Sequence, residues 1–307
     1  TTYKAKGIIP DDDKLSLGAS GLSPLGDKNI NPIITAADLI LLVGYDPIEM
    51  RSGWRNLWDC SENRVIVILI APEYSYMHQS SISFVCDIGE GIRALSEGVD
   101  TKTTWKNGEL TEMLNRHATI YGQKQEWGPG AITETVRGLV PRDTIITMDS
   151  GAHRILISQA WPTYVPRSAL QSSAFCTMGC ALPLATGAKL ADPSRVVVAF
   201  MGDGGLEMVL GELITLRDLA LPVIVIVFVD ASLALIEKKQ REMQYKNAGV
   251  DMNETDFKSI ALATGGNGFV VQTRAQLTDA LNIALNTSEK FTLISCKIPR
   301  GSYDEII

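Results

Sequence analysis

The sequence predicts an α/β protein with two Rossmann-like, doubly wound domains, each built on a parallel sheet. Continuous apolar runs at residues 37–44 and 64–70 are typical of parallel strands that are covered on both faces. Helical patterns fill the gaps between successive runs of this kind. A polar stretch that ends at Gly128-Pro129-Gly130 separates a first series of strands from a second.

Three segments are therefore expected along the chain. Residues 1–98 form a first α/β domain, residues 99–128 a linker with one helix, and residues 129–307 a second α/β domain. The strands predicted in the second domain are residues 144–149, 196–202, 222–230, 268–272 and 291–298.

Charge and hydropathy argue against two classes of partner. The formal net charge of −7 disfavours a nucleic-acid groove or an anionic membrane surface, because both attract basic faces. The longest apolar run, residues 220–229, is far shorter than the roughly 20 residues of a membrane span. The first residues contain no apolar signal-peptide core, so we expect a cytoplasmic protein.

The cysteine pattern indicates ordinary thiols. The chain has five cysteines, an odd number, and none of them forms a CxxC pair. This pattern predicts neither a zinc site nor a complete disulfide framework. We expect reduced and mostly buried thiols.

Polar residues follow three of the strands predicted in the second domain. The stretches are MDSGAHR (148–154), GDGG (202–205) and VDASLALIE (229–237). Open parallel sheets bind ligands in the crevice beyond the carboxyl ends of their strands. Asp203 and Asp230 lie one strand-helix-strand unit apart, so both carboxylates could reach one hard cation, and Gly204 and Gly205 suit a close approach to an anion. These residues predict a magnesium-bridged diphosphate.

A second interpretation of these residues needs no ligand. GDGG could form a tight strand-to-helix turn in which the glycines adopt positive φ and Asp203 caps the helix. Asp230 could likewise be an ordinary helix cap.

The strand-end motifs resemble those of thiamine diphosphate-dependent enzymes, and most closely the acetolactate synthase large-subunit branch. In that family a GDG motif is followed, one strand-helix-strand unit later, by two asparagines. Here GDG begins at Gly202, and the asparagine pair falls on Val229 and Asp230. The first asparagine is thus lost, whereas the aspartate at the second position still offers an oxygen to a metal.

Two further stretches carry the resemblance. Residues 172–205 are similar to the family segment in which a GxM element contacts the cofactor, and this element reads Cys176-Thr177-Met178 here. The resemblance makes Met178 the wedge that holds the cofactor bent, and the backbone of Cys176 a contact of the aminopyrimidine. A methionine that simply fills the core is the alternative. SGAHR resembles the turn that contacts the diphosphate.

The resemblance therefore implies one cofactor site. Its catalytic residues would be Met178 and Cys176, and its metal ligands Asp203, Asp230 and Ser232. Its cofactor-binding residues would be Ser150, Gly151, Ala152, His153, Cys176, Met178, Gly202, Asp203, Gly204, Gly205, Asp230, Ser232, Leu233 and Ala234.

The first part of the chain, residues 1–98, is similar to the second half of that family's middle domain, a nucleotide-binding-like α/β unit, which makes it a partial middle domain. The similarity lies in residues 4–21 and 37–49. Some members hold FAD in this domain, and the residues here leave FAD binding open. Gly44-Tyr45-Asp46-Pro47 is equally compatible with a plain strand-to-loop turn.

The resemblance implies decarboxylation and acyl transfer on 2-keto acids, with the cofactor as electron sink and Mg²⁺ as metal. No segment between Thr1 and Gly130 is similar to the one that carries the family's catalytic glutamate in a pyrimidine-binding domain. We therefore expect that domain on a separate chain, in a heterotetramer or larger assembly. The alternative is that the present chain is a fragment from which that domain was cut off. Two alternatives are an acyl-CoA lyase or decarboxylase of the same family and a non-catalytic nucleotide-binding regulatory protein.

Overall fold

A computed structural model describes residues 1–46, 57–62, 64–72, 78–102, 105–122 and 126–307. Contacts divide the chain into two units, one of Thr1–Ala19 with Ile120–Ile307 and the other of Ser20–Thr119. Each unit contains a parallel sheet together with α-helices, so the predicted α/β class is confirmed.

The unit of residues 20–119 is built on three parallel strands within its described residues, in the order β1-β2-β3. Its elements are α1 (Pro24–Thr35), β1 (Leu39–Val43), β2 (Arg64–Leu69), β3 (Ile82–Val85), α2 (Ile88–Ser96) and α3 (Glu109–Tyr121). The apolar runs at 37–44 and 64–70 thus form strands as predicted, whereas β3 was not predicted.

Helix α3 lies inside the predicted linker. Residues 103, 104 and 123–125 of that linker, and Pro47 of the predicted turn after β1, lie outside the described residues. The boundaries at residues 98 and 129 stay a prediction.

The second unit contains a six-stranded parallel sheet, in the order β5-β4-β6-β7-β9-β8. Its elements are α4 (Pro129–Leu139), β4 (Ile145–Met148), α5 (Ala152–Ala160), β5 (Ala169–Gln171), α6 (Ala181–Ala191), β6 (Val197–Gly202), α7 (Asp203–Glu207), α8 (Glu212–Asp218), β7 (Ile224–Val229), α9 (Ala234–Glu242), α10 (Phe257–Ala263), β8 (Asn267–Val271), α11 (Arg274–Leu285) and β9 (Thr292–Lys297). All five strands predicted here are present, and the short β5 was not predicted.

Helices cover both faces of this sheet. Side chains alternate between the faces along β6, so Phe200 packs with residues of α4, α5 and α11, whereas Ala199 packs with residues of α6, α8 and α10. Each face buries its own apolar cluster, which is why the strands read as continuous apolar runs. The doubly wound arrangement is confirmed for this unit.

The strand order sets the position of a crevice. The chain passes from β4 to β5 on one side and then returns to place β6 on the other side of β4. Such a reversal leaves a gap beyond the carboxyl ends of the two strands, where doubly wound sheets bind their ligands. Asp149 follows β4 at this edge, and Gly202 ends β6.

The cysteines are free thiols, but the expectation that most are buried is wrong. Cys296 of β9 is buried, and the other four are half-buried. In the part of the chain that the structure describes, no helix combines the length and apolar character that a membrane crossing requires.

Candidate functional site

A cavity of about 250 Å³ opens beyond the carboxyl ends of β4, β6 and β7. Every predicted cofactor-binding residue lines it. The predicted set is Ser150, Gly151, Ala152, His153, Cys176, Met178, Gly202, Asp203, Gly204, Gly205, Asp230, Ser232, Leu233 and Ala234. Four residues that the sequence did not single out complete the wall: Phe228, Leu235, Ile236 and Tyr303.

Asp203 joins the end of β6 to the end of β7. The residue is buried, with 6% of its surface exposed, and begins α7. One carboxylate oxygen accepts the N–H of Gly204 at 2.8 Å, and the other accepts the N–H of Ala231 at 2.9 Å. Burial raises the pKa of Asp203, and these two hydrogen bonds oppose the rise.

The glycines of GDGG are needed for close approach rather than for positive φ. Gly202 has φ −80°, and neither Gly204 nor Gly205 has positive φ. A Cβ on Gly205 would lie 2.0 Å from Oδ2 of Asp149, and one on Gly204 would lie 3.1 Å from Cδ2 of Leu233. The turn interpretation with left-handed glycines and a capping Asp203 is therefore wrong, since Asp203 is itself the first helical residue and α7 has no side-chain cap.

Asp230 brings a second carboxylate to the cavity. Its Oδ1 accepts the N–H of Ser232 at 3.3 Å, while its buried Oδ2 has no hydrogen-bond partner among the described residues. Burial, and then the charge of Asp203, raise the pKa of Asp230 to about 7. Helix α9 is preceded by Leu233 and has no side-chain cap, so the interpretation of Asp230 as its cap is wrong.

The two carboxylates, of Asp203 and Asp230, supply some but not all of the oxygen ligands that a hard cation needs. A buried carboxylate oxygen without a donor, beside a second carboxylate, is a place where a positive charge is missing. Within the described ranges, no three imidazole, thiol or carboxylate side chains converge as a complete metal site. A cation bound here would need further oxygens, which a diphosphate can supply. The hydroxyl of Ser232 donates to Oε2 of Glu237 at 2.5 Å and keeps an oxygen lone pair for such an ion.

A buried carboxylate beside the cavity orients His153. Nε2 of His153 lies 2.7 Å from Oδ1 of Asp149, and the ring stacks on Phe228 with centroids 5.7 Å apart. The other oxygen of Asp149 accepts the N–H of Gly179 at 2.7 Å. Asp149 therefore fixes both the turn after β4 and the segment that carries Met178. It was missed although it is the last residue of a predicted strand, and that position was the available signal.

Met178 and Cys176 lie on the wall of the cavity. Met178 is half-buried and belongs to neither apolar cluster that flanks the sheet. Cys176 has φ 49°, a left-handed conformation that is uncommon for a residue with a side chain. No sequence signal pointed to Phe228 or Tyr303, which reach the wall from the end of β7 and from the last turn of the chain.

Comparison with known families matches two consecutive domain types. The central domain of thiamine pyrophosphate enzymes matches residues 1–95, and the C-terminal TPP binding domain of these enzymes matches residues 149–296. The second match contains the strand ends that line the cavity.

Individual relatives agree with these matches. The acetolactate synthase of Bacillus subtilis (strain 168) is 27% identical over 323 residues, which cover 97% of this chain and 55% of the relative. The pyruvate oxidase of Lactiplantibacillus plantarum is 28% identical, over 92% of this chain and 48% of the relative. Acetolactate synthase isozyme 1 large subunit of Escherichia coli (strain K12) is 29% identical, over 78% of this chain and 42% of the relative.

The chain thus spans about half the length of the curated relatives it matches. The two domain matches, the parallel sheets and the cavity at the switch point agree with one another. The chain belongs to the thiamine pyrophosphate enzyme family and carries that family's central and C-terminal TPP-binding domains.

Proposed function

We propose that this chain binds thiamine diphosphate and Mg²⁺ in the cavity beyond β4, β6 and β7. In our proposal it is a subunit of an enzyme that decarboxylates 2-keto acids and transfers the acyl group, as a carbon–carbon lyase or transferase. The observation that carries the proposal is the convergence of three strand ends on one cavity, where Oδ2 of Asp230, which has no hydrogen-bond partner among the described residues, lies beside Asp203.

The residues of the cavity have distinct proposed roles. Asp203, Asp230 and Ser232 hold the cation, because a hard divalent ion prefers oxygen ligands. The backbone of residues 202–205 lies against the diphosphate, since glycines leave room for close approach. His153, held by Asp149, contacts the same phosphates from the turn after β4. Leu233 and Ala234 complete this end of the wall.

Met178 and Cys176 position the reacting end of the cofactor. Met178 supports the bend between its two rings, and the backbone of Cys176 contacts the aminopyrimidine. The chemistry supplied by bound thiamine diphosphate is attack on a carbonyl carbon and acceptance of the electron pair released on decarboxylation. Holding reacting atoms in place in this way can account for several kcal/mol of a reaction barrier.

The proposed assembly includes a second component. A pyrimidine-binding domain with its glutamate is proposed as that component, on a partner chain in a heterotetramer or larger complex. The alternative is that these residues are a piece of a longer chain that carries this domain itself. The support for a further component is that residues 1–130 contain no stretch similar to the glutamate segment and that the chain spans about half the length of the curated relatives it matches. Cytoplasmic location and FAD binding stay predictions.

Calorimetric titration of the full chain with thiamine diphosphate tests the proposal. We expect binding that requires Mg²⁺ and weaker or no binding of adenine nucleotides. Preferential binding of an adenine nucleotide would instead support the regulatory alternative. Assays of the assembled complex with simple 2-keto acids and with acyl-CoA substrates separate the two catalytic alternatives.

Native mass spectrometry of the purified complex tests the assembly. We expect a partner chain in the complex, and the spectrum would also reveal a flavin. A well-behaved homo-oligomer of this chain that is active alone would contradict the proposed partner.

A further inference from the structure

Ala231 lies in a strained conformation between two residues of the proposed cation site. It has φ 54°, in the left-handed region that costs energy for any residue with a Cβ. Residues stay in such conformations only where the surrounding structure holds them. Two backbone contacts act directly: the N–H of Ala231 donates to Asp203 at 2.9 Å, and its carbonyl accepts the N–H of Met252 at 3.0 Å.

Side-chain contacts extend this support, and they join four residues: Ser232, Glu237, Asp251 and Arg300. Oε2 of Glu237 accepts the hydroxyl of Ser232 at 2.5 Å and Nε of Arg300 at 2.9 Å. Nη2 of Arg300 also donates to Oδ1 of Asp251. Ser232 and Asp251 face each other in an isolated antiparallel bridge.

Arg300 therefore connects the two segments that flank Ser232. One segment is the start of α9, which carries Glu237, and the other is the chain around Asp251. Without Arg300, Glu237 would still contact Nη1 of Arg241 at 2.9 Å, and Asp251 would still accept from Asn247 at 3.0 Å. What would be lost is the side-chain bridge between them, whereas the backbone hydrogen bonds from the N–H of Leu233 to the carbonyl of Val250 at 2.9 Å and from Met252 to Ala231 would remain.

We infer that Arg300 is a positioning residue: it holds Ala231 in the left-handed conformation, and thereby fixes Asp230 and Ser232 at the cavity. The inference rests on the proposed function, because it concerns the cation and diphosphate site. Release of the bridge lets Ala231 relax to negative φ, which turns the neighbouring side chains away from the cavity.

Substitutions at residues 231 and 300 separate this role from a role of charge alone. Glycine adopts positive φ without strain, so Ala231→Gly should make the bridge unnecessary. Arg300→Lys keeps the positive charge but cannot span two carboxylates with a planar fork. Arg274→Met is the matched control, because Arg274 also pairs with a carboxylate, Glu134, and does not line the cavity.

The experiment is calorimetric titration of the full chain with thiamine diphosphate at saturating Mg²⁺. We expect Arg300→Met and Arg300→Lys each to weaken binding roughly tenfold, and Ala231→Gly to restore most of the affinity in the Arg300→Met background. Ala231→Gly alone and Arg274→Met should bind like the wild type. Thermal unfolding of each variant shows whether it is folded.

The outcomes separate this inference from the proposed function. A wild-type chain without Mg²⁺-dependent binding would overturn both. A wild type that binds, together with an Arg300→Met variant of equal affinity, would overturn the inference alone. The same holds if Arg300→Met weakens binding and Ala231→Gly fails to restore it, or if Arg300→Lys binds normally, because Arg300 would then act through its charge.

Discussion

Asp230→Asn should stabilise the chain in the absence of divalent cations, and by more at pH 8 than at pH 5. Oδ2 of Asp230 is buried without a donor among the described residues, and Asp203 lies close enough to raise its pKa. An ionised carboxylate in this place opposes folding. The amide of asparagine has nearly the same shape and carries no charge.

The pKa of Asp230 gives the size of the effect. A rise from the ordinary value of 3.8 to about 7 corresponds to about 4 kcal/mol, at 1.36 kcal/mol per pH unit. Asp230 is half-buried, and because solvent screens its charge we expect about 2 kcal/mol at pH 8.

The sign follows from proton binding. Below its ordinary pKa of 3.8 the carboxyl is neutral in both states and carries no penalty. Between that value and about 7 the unfolded chain has released the proton and the folded chain retains it, so stability falls as the pH rises. Above about 7 both states are ionised and the penalty is constant. The gain from Asp230→Asn therefore grows across this window, to roughly 1 kcal/mol at pH 5.

Urea unfolding in EDTA at pH 5 and pH 8 measures this difference. Asp279→Asn, on the exposed face of α11, is the control and should change stability little at either pH. Added Mg²⁺ should reduce the difference in unfolding free energy between Asp230→Asn and the wild type, because a bound cation offsets the charge of the native carboxylate. If Asp230→Asn were no more stable than the wild type at pH 8, Oδ2 of Asp230 would not carry a buried, uncompensated charge.

Three other substitutions test the site. Asp203→Ala should abolish Mg²⁺-dependent binding of thiamine diphosphate in calorimetry, because the diphosphate charge is left uncompensated; unchanged affinity would exclude Asp203 as a ligand. Met178→Ala should lower turnover of the assembled enzyme far more than the melting temperature, whereas normal turnover with a melting point several degrees lower would make Met178 a packing residue. Gly205→Ala should cost about 1–3 kcal/mol of unfolding free energy, because its Cβ would lie 2.0 Å from Oδ2 of Asp149. Outside the adjoining residues and the backbone of α6, no atom lies within 4 Å of a Cβ placed on Gly187, so Gly187→Ala is the matched control; equal stability of the two variants would refute the clash.

The strands that could be predicted are those buried on both faces. β6 and β7 consist almost entirely of buried apolar residues, so their sequence pattern is continuous. β3 is four residues long and exposed throughout, and β5 is three residues long and half-buried. Segments this short show no periodicity that distinguishes a strand from a loop.

The site was predicted where local sequence encodes it. The residues at the ends of β4, β6 and β7 follow apolar runs, and the parallel order brings them together. Arg300 and Glu237 are 63 residues apart in the chain, and their contact depends on how the last turn packs. Glu237 ends the stretch 229–237, but Arg300 has no neighbouring motif, so the pair could not be predicted from pattern or resemblance.

The distribution of donors around three carboxylates explains where a cation would act. Asp149 is paired on both oxygens, with His153 and the N–H of Gly179, and Asp203 accepts two backbone N–H groups. Asp230 accepts one donor on Oδ1, and its Oδ2 has none within the described part of the chain. The uncompensated negative charge of this region is thus concentrated on one oxygen at the cavity. A divalent ion bound to that oxygen would compensate it and would at the same time attract a diphosphate, which links the stability of the empty chain to the affinity of the proposed site.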